Sequence, residues 1–465
     1  MKKGEIYEGV IDHIDFPNKG RVDIDGTLVT LKNGMPGQKV RLMINKKRGG
    51  KLEGRLLQVL ELSPMEVTGP VCGQFPACGG CMYQTMAYED QLNMKASQVK
   101  ALLDQAIMQA GQVDENGKPD YDFEGITGSP NQFGYRNKME FSFGDAVMNG
   151  PLTLGLHKKG STYDILTTDD CKIVHDDFTE ILRCVLDYFT EHPMPYYHKM
   201  RHEGYLRHLL IRRSVSTGEI LVHLVTTSQG QCSLEELKDR LLNIQLEGTI
   251  AGIIHIINDS KADVVQSDET IILCGQDYFY EHLLGMKFKV STFSFFQTNS
   301  KGAELLYETA RGYIGDTKDM TVYDLYSGTG TIAQMLAGVA KHVVGVEIVE
   351  EAVEAAKVNA RLNGLDNCEL IDGDVLKVLD EIEVKPDYIV LDPPRDGIHP
   401  KALTKIIGYN VPNMVYISCK PTSLARDLDA FIKAGYRVEK VRCVDMFPNT
   451  VHVETVCLLS KVQNE

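Results

Sequence analysis

From about residue 290 onward, short apolar runs alternate with amphipathic stretches of helical period, and no other feature of the chain narrows its fold as far. T-V-Y-D-L-Y, H-V-V-G-V-E, D-Y-I-V-L-D and N-M-V-Y-I-S are apolar runs of strand length. Between them lie T-I-A-Q-M-L-A and I-V-E-E-A-V-E-A-A-K-V-N-A-R-L-N-G, and L-A-R-D-L-D-A-F-I-K-A-G follows the last; the two longer stretches close on Gly. Such alternation is the βαβ signature of a doubly wound, parallel α/β sheet. The final runs, Tyr436–Asp445 and Glu454–Lys461, read as a terminal hairpin added at the sheet edge.

Two other textures precede this one. Residues 1 to about 60 alternate apolar and polar positions between glycines, as in E-I-Y-E-G-V-I-D-H-I and G-R-V-D-I-D-G-T-L-V-T-L, the pattern of a small antiparallel β-barrel. Such barrels often bind nucleic acid on one face, and others make only protein contacts. A helical pattern covers residues 87–111. Residues 120 to 285 carry strand-like runs, including Lys138–Phe143, Leu154–Lys158, Glu219–Thr226 and Ile250–Ile257. The expected organisation is a barrel over 1–62, a central β-rich domain over 63–288 whose 87–111 helix packs on the catalytic domain, and an α/β domain over 289–465.

The net charge of −15 opposes phosphate binding only if it is spread evenly. Residues 1–60, however, hold 12 Lys and Arg against 7 Asp and Glu, densest at Lys46, Lys47, Arg48, Lys51 and Arg55. A second basic stretch, Lys199 to Arg213, sets Arg201, Arg207, Arg212 and Arg213 close to Tyr196, Tyr197, His202 and Tyr205. Both are compatible with binding structured RNA, and a solvated charged face is the plainer alternative. No apolar run approaches eighteen residues, and the N-terminal lysines lead into no apolar signal segment. The chain is therefore read as cytoplasmic, with no membrane partner.

Asp324-Leu-Tyr-Ser-Gly328-Thr-Gly330-Thr331 joins a strand to a helix, where glycines let the backbone approach a ligand. Glu347 closes the next strand, at about the spacing where an acid takes ribose hydroxyls. The third glycine that a pyrophosphate cradle needs is absent, so a nucleoside without phosphates fits better, and S-adenosylmethionine is one. Asp374, in I-D-G-D-V, ends the third strand, where an adenine edge could be held.

Asp392 opens the D-P-P-R turn after the next strand, and Cys419 follows the strand after that, in I-S-C-K-P. Free Cys is usually just packed. Enzymes that methylate exocyclic amines carry a similar acid-Pro-Pro turn followed by an aromatic residue; this chain has Arg395 there, and an amine needs no thiol. Carbon 5 of uracil has no lone pair to attack a methyl group. A thiolate adding to C6 makes C5 nucleophilic, and a base must then remove the C5 proton. Glu454, in H-V-E-T-V, is the candidate base, with Val453 and Val456 supplying apolar surroundings that raise its pKa. The uridine would be splayed out of its stack to reach such a pocket.

Q-T-N (297–299), D-L-Y-S-G-T-G (324–330), L-D-P-P-R-D-G (391–397), I-S-C-K-P-T-S-L-A-R-D (417–427) and H-V-E-T (452–455) together resemble the RNA 5-methyluridine methyltransferase family. The resemblance covers residues 290–465 and implies a Rossmann-like, S-adenosylmethionine-dependent domain. It implies Cys419 as nucleophile and Glu454 as base. Gln297, Tyr326, Thr331, Glu347, Asp374 and Asp392 would line the cofactor and uracil pocket. Lys420 stands where many relatives have Asn.

Eleven cysteines in a cytoplasmic chain read as metal, cluster or catalytic thiols rather than disulfides. Cys72, Cys78 and Cys81 lie within ten residues in a Gly-rich loop, and Cys171 is a plausible fourth ligand. By chemistry alone a zinc site is at least as probable as an iron–sulfur cluster. The family resemblance implies a [4Fe–4S] cluster on this spacing in its ribosomal-RNA branch, whose TRAM domain the OB-like N-terminal barrel also resembles. The reading that results is methylation of uridine C5 in 23S rRNA, with no DNA partner and no protein partner indicated. A tRNA T-loop methyltransferase is the nearest alternative, and a non-catalytic RNA-binding or folding factor is the alternative of another class.

Overall fold

In the computed structural model, which describes residues 1–262 and 265–462, five strands close the N-terminal barrel. They are β1 (Ile6–Asp15), β2 (Lys19–Ile24), β3 (Thr27–Lys32), β4 (Lys39–Arg48) and β5 (Lys51–Glu61), in the order β1-β2-β3-β5-β4. Alternate residues point inward, so Ile11, Val22, Leu31, Val40 and Leu42 fill a core private to the barrel. One joint departs from the expected antiparallel pattern. β4 pairs antiparallel with both β1 and β5, which carries β5 to the free edge of β3 in a parallel pairing, Val29 opposite Leu52. That is the closure of an OB-like barrel.

A cysteine-bearing loop leads to α1 (Tyr88–Gln109) and β6 (Asp122–Thr127). Next come β7 (Lys138–Asp145), β8 (Leu152–His157), β9 (Ile165–Thr167), α2 (Asp176–Glu191), β10 (Leu206–Arg213), β11 (Glu219–Thr226), α3 (Glu235–Asn243), β12 (Thr249–Ile257) and β13 (Glu269–Gly275). Their strands form a seven-stranded sheet in the order β13-β12-β11-β10-β7-β8-β9. Helices α2 and α3 cover one face through Phe178, Ile181, Val185 and Leu237. On the other face Leu221, Val225, Ile254 and Ile256 join the core of the hairpin β14 (Tyr278–Leu283) and β15 (Met286–Ser291) and of the α/β unit beyond.

The second basic stretch is not an open surface. Arg207 donates to the carbonyls of Asn258, Ser260 and Ala262 and stacks on Tyr197 at 4.5 Å. Arg212 donates to the carbonyls of Ser291, Thr292 and Ser294, and Arg213 pairs with Asp177 at 2.9 Å. The first two guanidiniums satisfy backbone carbonyls at chain reversals that no strand could reach. Of the four arginines only Arg201 is exposed.

The α/β unit contains α4 (Ser300–Ile314), β16 (Thr321–Leu325), α5 (Thr331–Ala337), β17 (His342–Glu347), α6 (Glu350–Leu362), β18 (Cys368–Asp372), α7 (Val375–Val378), β19 (Tyr388–Leu391), α8 (Pro400–Gly408), β20 (Asn413–Ser418), α9 (Pro421–Lys433), β21 (Tyr436–Val444) and β22 (Glu454–Lys461). Its sheet runs β18-β17-β16-β19-β20-β22-β21-β6. Val322, Tyr388, Val390, Val415 and Ile417 face α4, α5 and α6. Tyr323, Ile389, Leu391, Met414 and Tyr416 face α7, α8, α9 and also α1. Two apolar faces explain why these strands read as continuous hydrophobic runs.

The terminal hairpin is not the edge of this sheet. β6, from far earlier in the chain, adds to β21 in parallel, Lys440 opposite Asp122 and Val444 opposite Thr127. Val99, Leu103 and Ile107 of α1 share a core with Leu424, Leu428 and Phe431 of α9. Covering a naked edge strand and a bare helix face is the physical gain. Among the described residues, no helix is long and apolar enough to cross a membrane.

Candidate active site

The ends of four neighbouring strands meet at one point. β16 and β19 lie side by side, Leu325 opposite Leu391, so Tyr326 and Asp392 leave the sheet together. β19 and β20 pair Leu391 with Tyr416, and β20 meets β22 antiparallel with Ser418 opposite Thr455. Continued by one residue, that register sets Cys419 against Glu454, and opposed antiparallel residues lie about 4.5–5.5 Å apart at Cα. β17 and β18 flank β16 on one side, and β19 and β20 on the other. Strand order therefore reverses at β16, the place where doubly wound sheets open a crevice.

A cleft of about 970 Å³ occupies this crevice, and Gln297, Tyr326, Thr331, Asp392, Arg395, Cys419 and Glu454 all face it. Burial dominates its electrostatics. Asp392 is pushed up to about 7 and Glu454 to about 8, each chiefly by desolvation, with Asp392 raising Glu454 further and Arg395 opposing it. The Cys419 thiol is pushed up to about 11 by burial and then by Glu454 and Asp392; Arg395 holds it down by charge and a hydrogen bond. Arg395 is thus the cation set against both the thiol and the Glu454 carboxyl. An aromatic residue at this position could not do that.

The glycine turn is built for close approach. Gly330 caps α5 at φ 71°, and a Cβ there would meet Ala356 Cβ at 2.9 Å. Tyr326 sits at φ 69°, a costly conformation for a non-glycine residue and one that clusters at functional sites. Thr329 Oγ1 donates to the Phe295 carbonyl at 3.0 Å, and the Phe295 ring is 62% exposed at the cleft mouth. Gln297 is held through its carbonyl by Asn137 Nδ2 at 2.9 Å.

Glu347 and Asp374 do not line the cleft. Glu347 accepts from Gly328 N–H at 3.0 Å and from the Ile348 and Val349 N–H groups, so its carboxylate ties the glycine turn to the end of β17. Asp374 caps α7 by accepting from Leu376 N–H at 2.9 Å, and lies near enough to Tyr326 to raise its phenol. Lys420 opens α9, with its ammonium 3.7 Å from Asp396.

Two residues carry more than their motifs announce. Asp324 is fully buried with no side-chain partner, and burial and Asp392 raise it to about 8 against the pull of the Ala333 N–H. His452 lines the cleft beside Glu454, held well below its usual range by burial and by Arg395. The signal for Asp324 was its place in the D-L-Y-S-G turn; His452 had only its neighbour.

Cys72, Cys78, Cys81 and Cys171 border one small pocket with Phe75, Leu156 and Thr168. All four are free thiols raised by burial. Backbone N–H groups of Gln74, Gly80 and Ile173 act against that burial at Cys72, Cys78 and Cys171. Among the described residues, however, no three His, Cys, Asp or Glu side chains are arranged to hold a metal ion. A four-thiolate zinc site would need every sulfur about 2.3 Å from one point. A cluster gives each thiolate its own iron, so its ligands need not converge. The same loop, through Gly79, Gly80, Cys81 and Met82, forms one wall of the active-site cleft.

Residues 219–462 match the family described as tRNA (Uracil-5-)-methyltransferase. An uncharacterized RNA methyltransferase of Clostridium tetani is 48% identical over 98% of both chains. Another, of Clostridium acetobutylicum, is 47% identical over 99% of both. The crystal structure of Pyrococcus abyssi tRNA (uracil-54, C5)-methyltransferase with S-adenosyl-L-homocysteine shares the fold over 97% of this chain and 99% of its own, with a TM-score of 0.75 at 24% identity. A thiol opposed to a carboxyl across the β20–β22 register, in a chain matched at this length, leads to one conclusion: the protein belongs to the RNA uracil-5-methyltransferase family.

Proposed function

We propose that the protein transfers a methyl group from S-adenosylmethionine to C5 of uridine in 23S rRNA through a covalent adduct on Cys419. The observation that carries this reading is the opposition of Cys419 and Glu454 in one cleft with Arg395, which acts on both. Cys419 Sγ bonds to C6 of the splayed-out base, and the electron pair displaced onto C5 takes the methyl group as its bond to the sulfonium breaks. Glu454 then accepts the C5 proton, the C5–C6 double bond re-forms, and the C6–S bond returns its electrons to Cys419. Arg395 lowers the cost of the thiolate, opposing part of the rise that burial, Glu454 and Asp392 impose. Gln297, Tyr326, Thr331 and Asp392 bind the donor and the uracil in the cleft, and Glu347 and Asp374, outside its lining at the ends of β17 and β18, take the ribose and the adenine edge of the donor where it extends past the glycine turn.

Cys72, Cys78, Cys81 and Cys171 hold a [4Fe–4S] cluster in this reading, supported by their shared pocket and by the N–H groups directed at the sulfurs. Cluster chemistry supplies no step, because thiolate addition and methyl transfer move no net electron. The cysteine set favours ribosomal RNA. The barrel discriminates less, since the archaeal tRNA enzyme matches nearly the whole chain.

The test offers 5-fluorouridine-substituted 23S rRNA and tRNA transcripts, with methyl donor, to anaerobically purified protein assayed for iron and sulfide. A denaturation-resistant complex with the rRNA, absent from Cys419→Ala, is expected with four irons per chain. Trapping on tRNA alone would move the substrate to the T-loop, and no complex on either would sink the adduct.

A further inference from the structure

Glu454 stands at the end of a loop, Asp445–Val453, that runs from β21 to β22 and lines the cleft with Phe447, Thr450, Val451 and His452. The loop closes on itself through Thr450, whose Oγ1 donates to the Phe447 carbonyl at 2.8 Å and accepts from His452 N–H at 3.2 Å. Asn449 is fixed from outside it. This residue is 2% exposed and sits at φ 65°. Its carbonyl accepts from the N–H groups of Met82 at 2.7 Å and Tyr83 at 3.1 Å, immediately after Cys81. Its own N–H donates to Gln91 Oε1 at 3.0 Å, its Oδ1 accepts from Gln91 Nε2 at 3.2 Å, and its Nδ2 donates to the Gln132 carbonyl at 3.0 Å. Gln91 in turn donates to the Tyr83 and Met86 carbonyls, both at 3.0 Å. One residue of the catalytic loop is therefore bonded to the cysteine loop, to α1 and to the segment before β7.

A second anchor lies four residues earlier. Lys95 of α1, 1% exposed, pairs with Asp445 at 2.7 Å and donates to the Phe447 carbonyl at 3.1 Å. Buried pairs of this kind specify a geometry more than they add stability. Apart from Gln132, the partners in both anchors belong to the first hundred residues, and what they fix is the approach to the base.

We infer that Asn449 is a positioning residue through which the cysteine loop and α1 set Glu454 against the substrate, so that these N-terminal elements govern the second half of the reaction. This rests on the adduct mechanism proposed above. In that half Glu454 takes the C5 proton, the C5–H electron pair re-forms the C5–C6 double bond, and the C6–S bond breaks to release the Cys419 thiolate. Adduct formation and methyl transfer need Cys419 and the donor but not this proton transfer. A displaced base therefore leaves the first half intact and stalls the second.

The variant is Asn449→Gly, which tolerates the left-handed backbone and keeps the carbonyl that Met82 and Tyr83 bond. Turnover on ordinary uridine RNA is expected to fall by about 10²-fold, the scale of an ångström's misplacement. A methylated, denaturation-resistant protein–RNA complex should build up on that same RNA, as it should for Glu454→Gln. Trapping by 5-fluorouridine RNA, which stops after methyl transfer, should match the wild type and so reports a folded first half. Cys81→Ser should give the same accumulation. Normal turnover in Asn449→Gly would overturn the inference, as would equal loss of turnover and of 5-fluorouridine trapping without a complex on ordinary RNA. Release at the wild-type rate in Cys81→Ser would remove the cysteine loop from it. Failure of the wild-type protein to trap 5-fluorouridine RNA would instead sink the adduct mechanism itself.

Discussion

At the scale of single residues, the site is a balance between burial and one guanidinium. Glu454 ionises near 8 because burial outweighs Arg395, and a base must be ionised to act, so kcat should rise as pH passes through about 8. Removing Arg395 takes away the group that lowers both Glu454 and Cys419. In Arg395→Ala the rise should therefore move to higher pH and kcat at pH 7 should drop; a kcat–pH profile with unmodified RNA checks both, and an unmoved profile would contradict the electrostatic role. Cys419 and Glu454 were legible as a pair because each sits at a strand terminus in a distinctive run. Arg395 was legible only as a missing aromatic, and Asp324 not at all as a buried acid without a side-chain partner, because partnership is a property of neighbours brought from other strands.

At the scale of elements, the glycine turn ahead of α5 shows how little room the crevice leaves. Gly330 combines a left-handed backbone with an Ala356 methyl 2.9 Å from where a Cβ would stand. Gly330→Ala should move α5 away from α6, weakening donor binding at least tenfold and lowering Tm, in keeping with the cost of about 1–3 kcal/mol for an over-packed or strained position. Calorimetric titration with S-adenosylhomocysteine reads the first effect and a melting curve the second. The strands and helices after residue 290 were legible from period alone. The outward partner of β21 was not, since β6 is a short half-buried run whose assignment depends on an edge more than three hundred residues away. The buried arginines of β10 misled for a related reason: sequence shows charge but not the carbonyls that absorb it.

At the scale of the whole molecule, the barrel and the cleft share a lining. A groove on the barrel runs past Lys19, Arg21, Lys32, Lys46, Lys51 and Arg55 to Lys159 of the central sheet. Lys19, Lys32 and Asn33 also face the active-site cleft. An RNA strand lying in that groove would be led to Cys419 without crossing the acidic remainder of the surface. Substituting Lys51 and Arg55 by Ala should leave donor affinity unchanged and weaken RNA binding. The slope of log K against log salt should fall by about 0.7 for each single-strand phosphate that is no longer neutralised. Filter binding across a salt series measures it, and an unchanged slope would place the RNA elsewhere. The basic bias of the first sixty residues was visible in the sequence, but its continuity with the site was not.

The pairing of β6 with β21, and of α1 with α9, also fixes an order of events during synthesis. Residues 88–127 leave the ribosome well before the segments that will cover them, by roughly 15–60 s at 5–20 residues per second. Through that interval Val99, Leu103 and Ile107 lack the α9 side chains they will pack on, and the catalytic sheet cannot close until the last strands arrive. The nascent chain therefore carries an apolar helix face that a chaperone can hold, and a stop codon anywhere before α9 leaves that face without its cover.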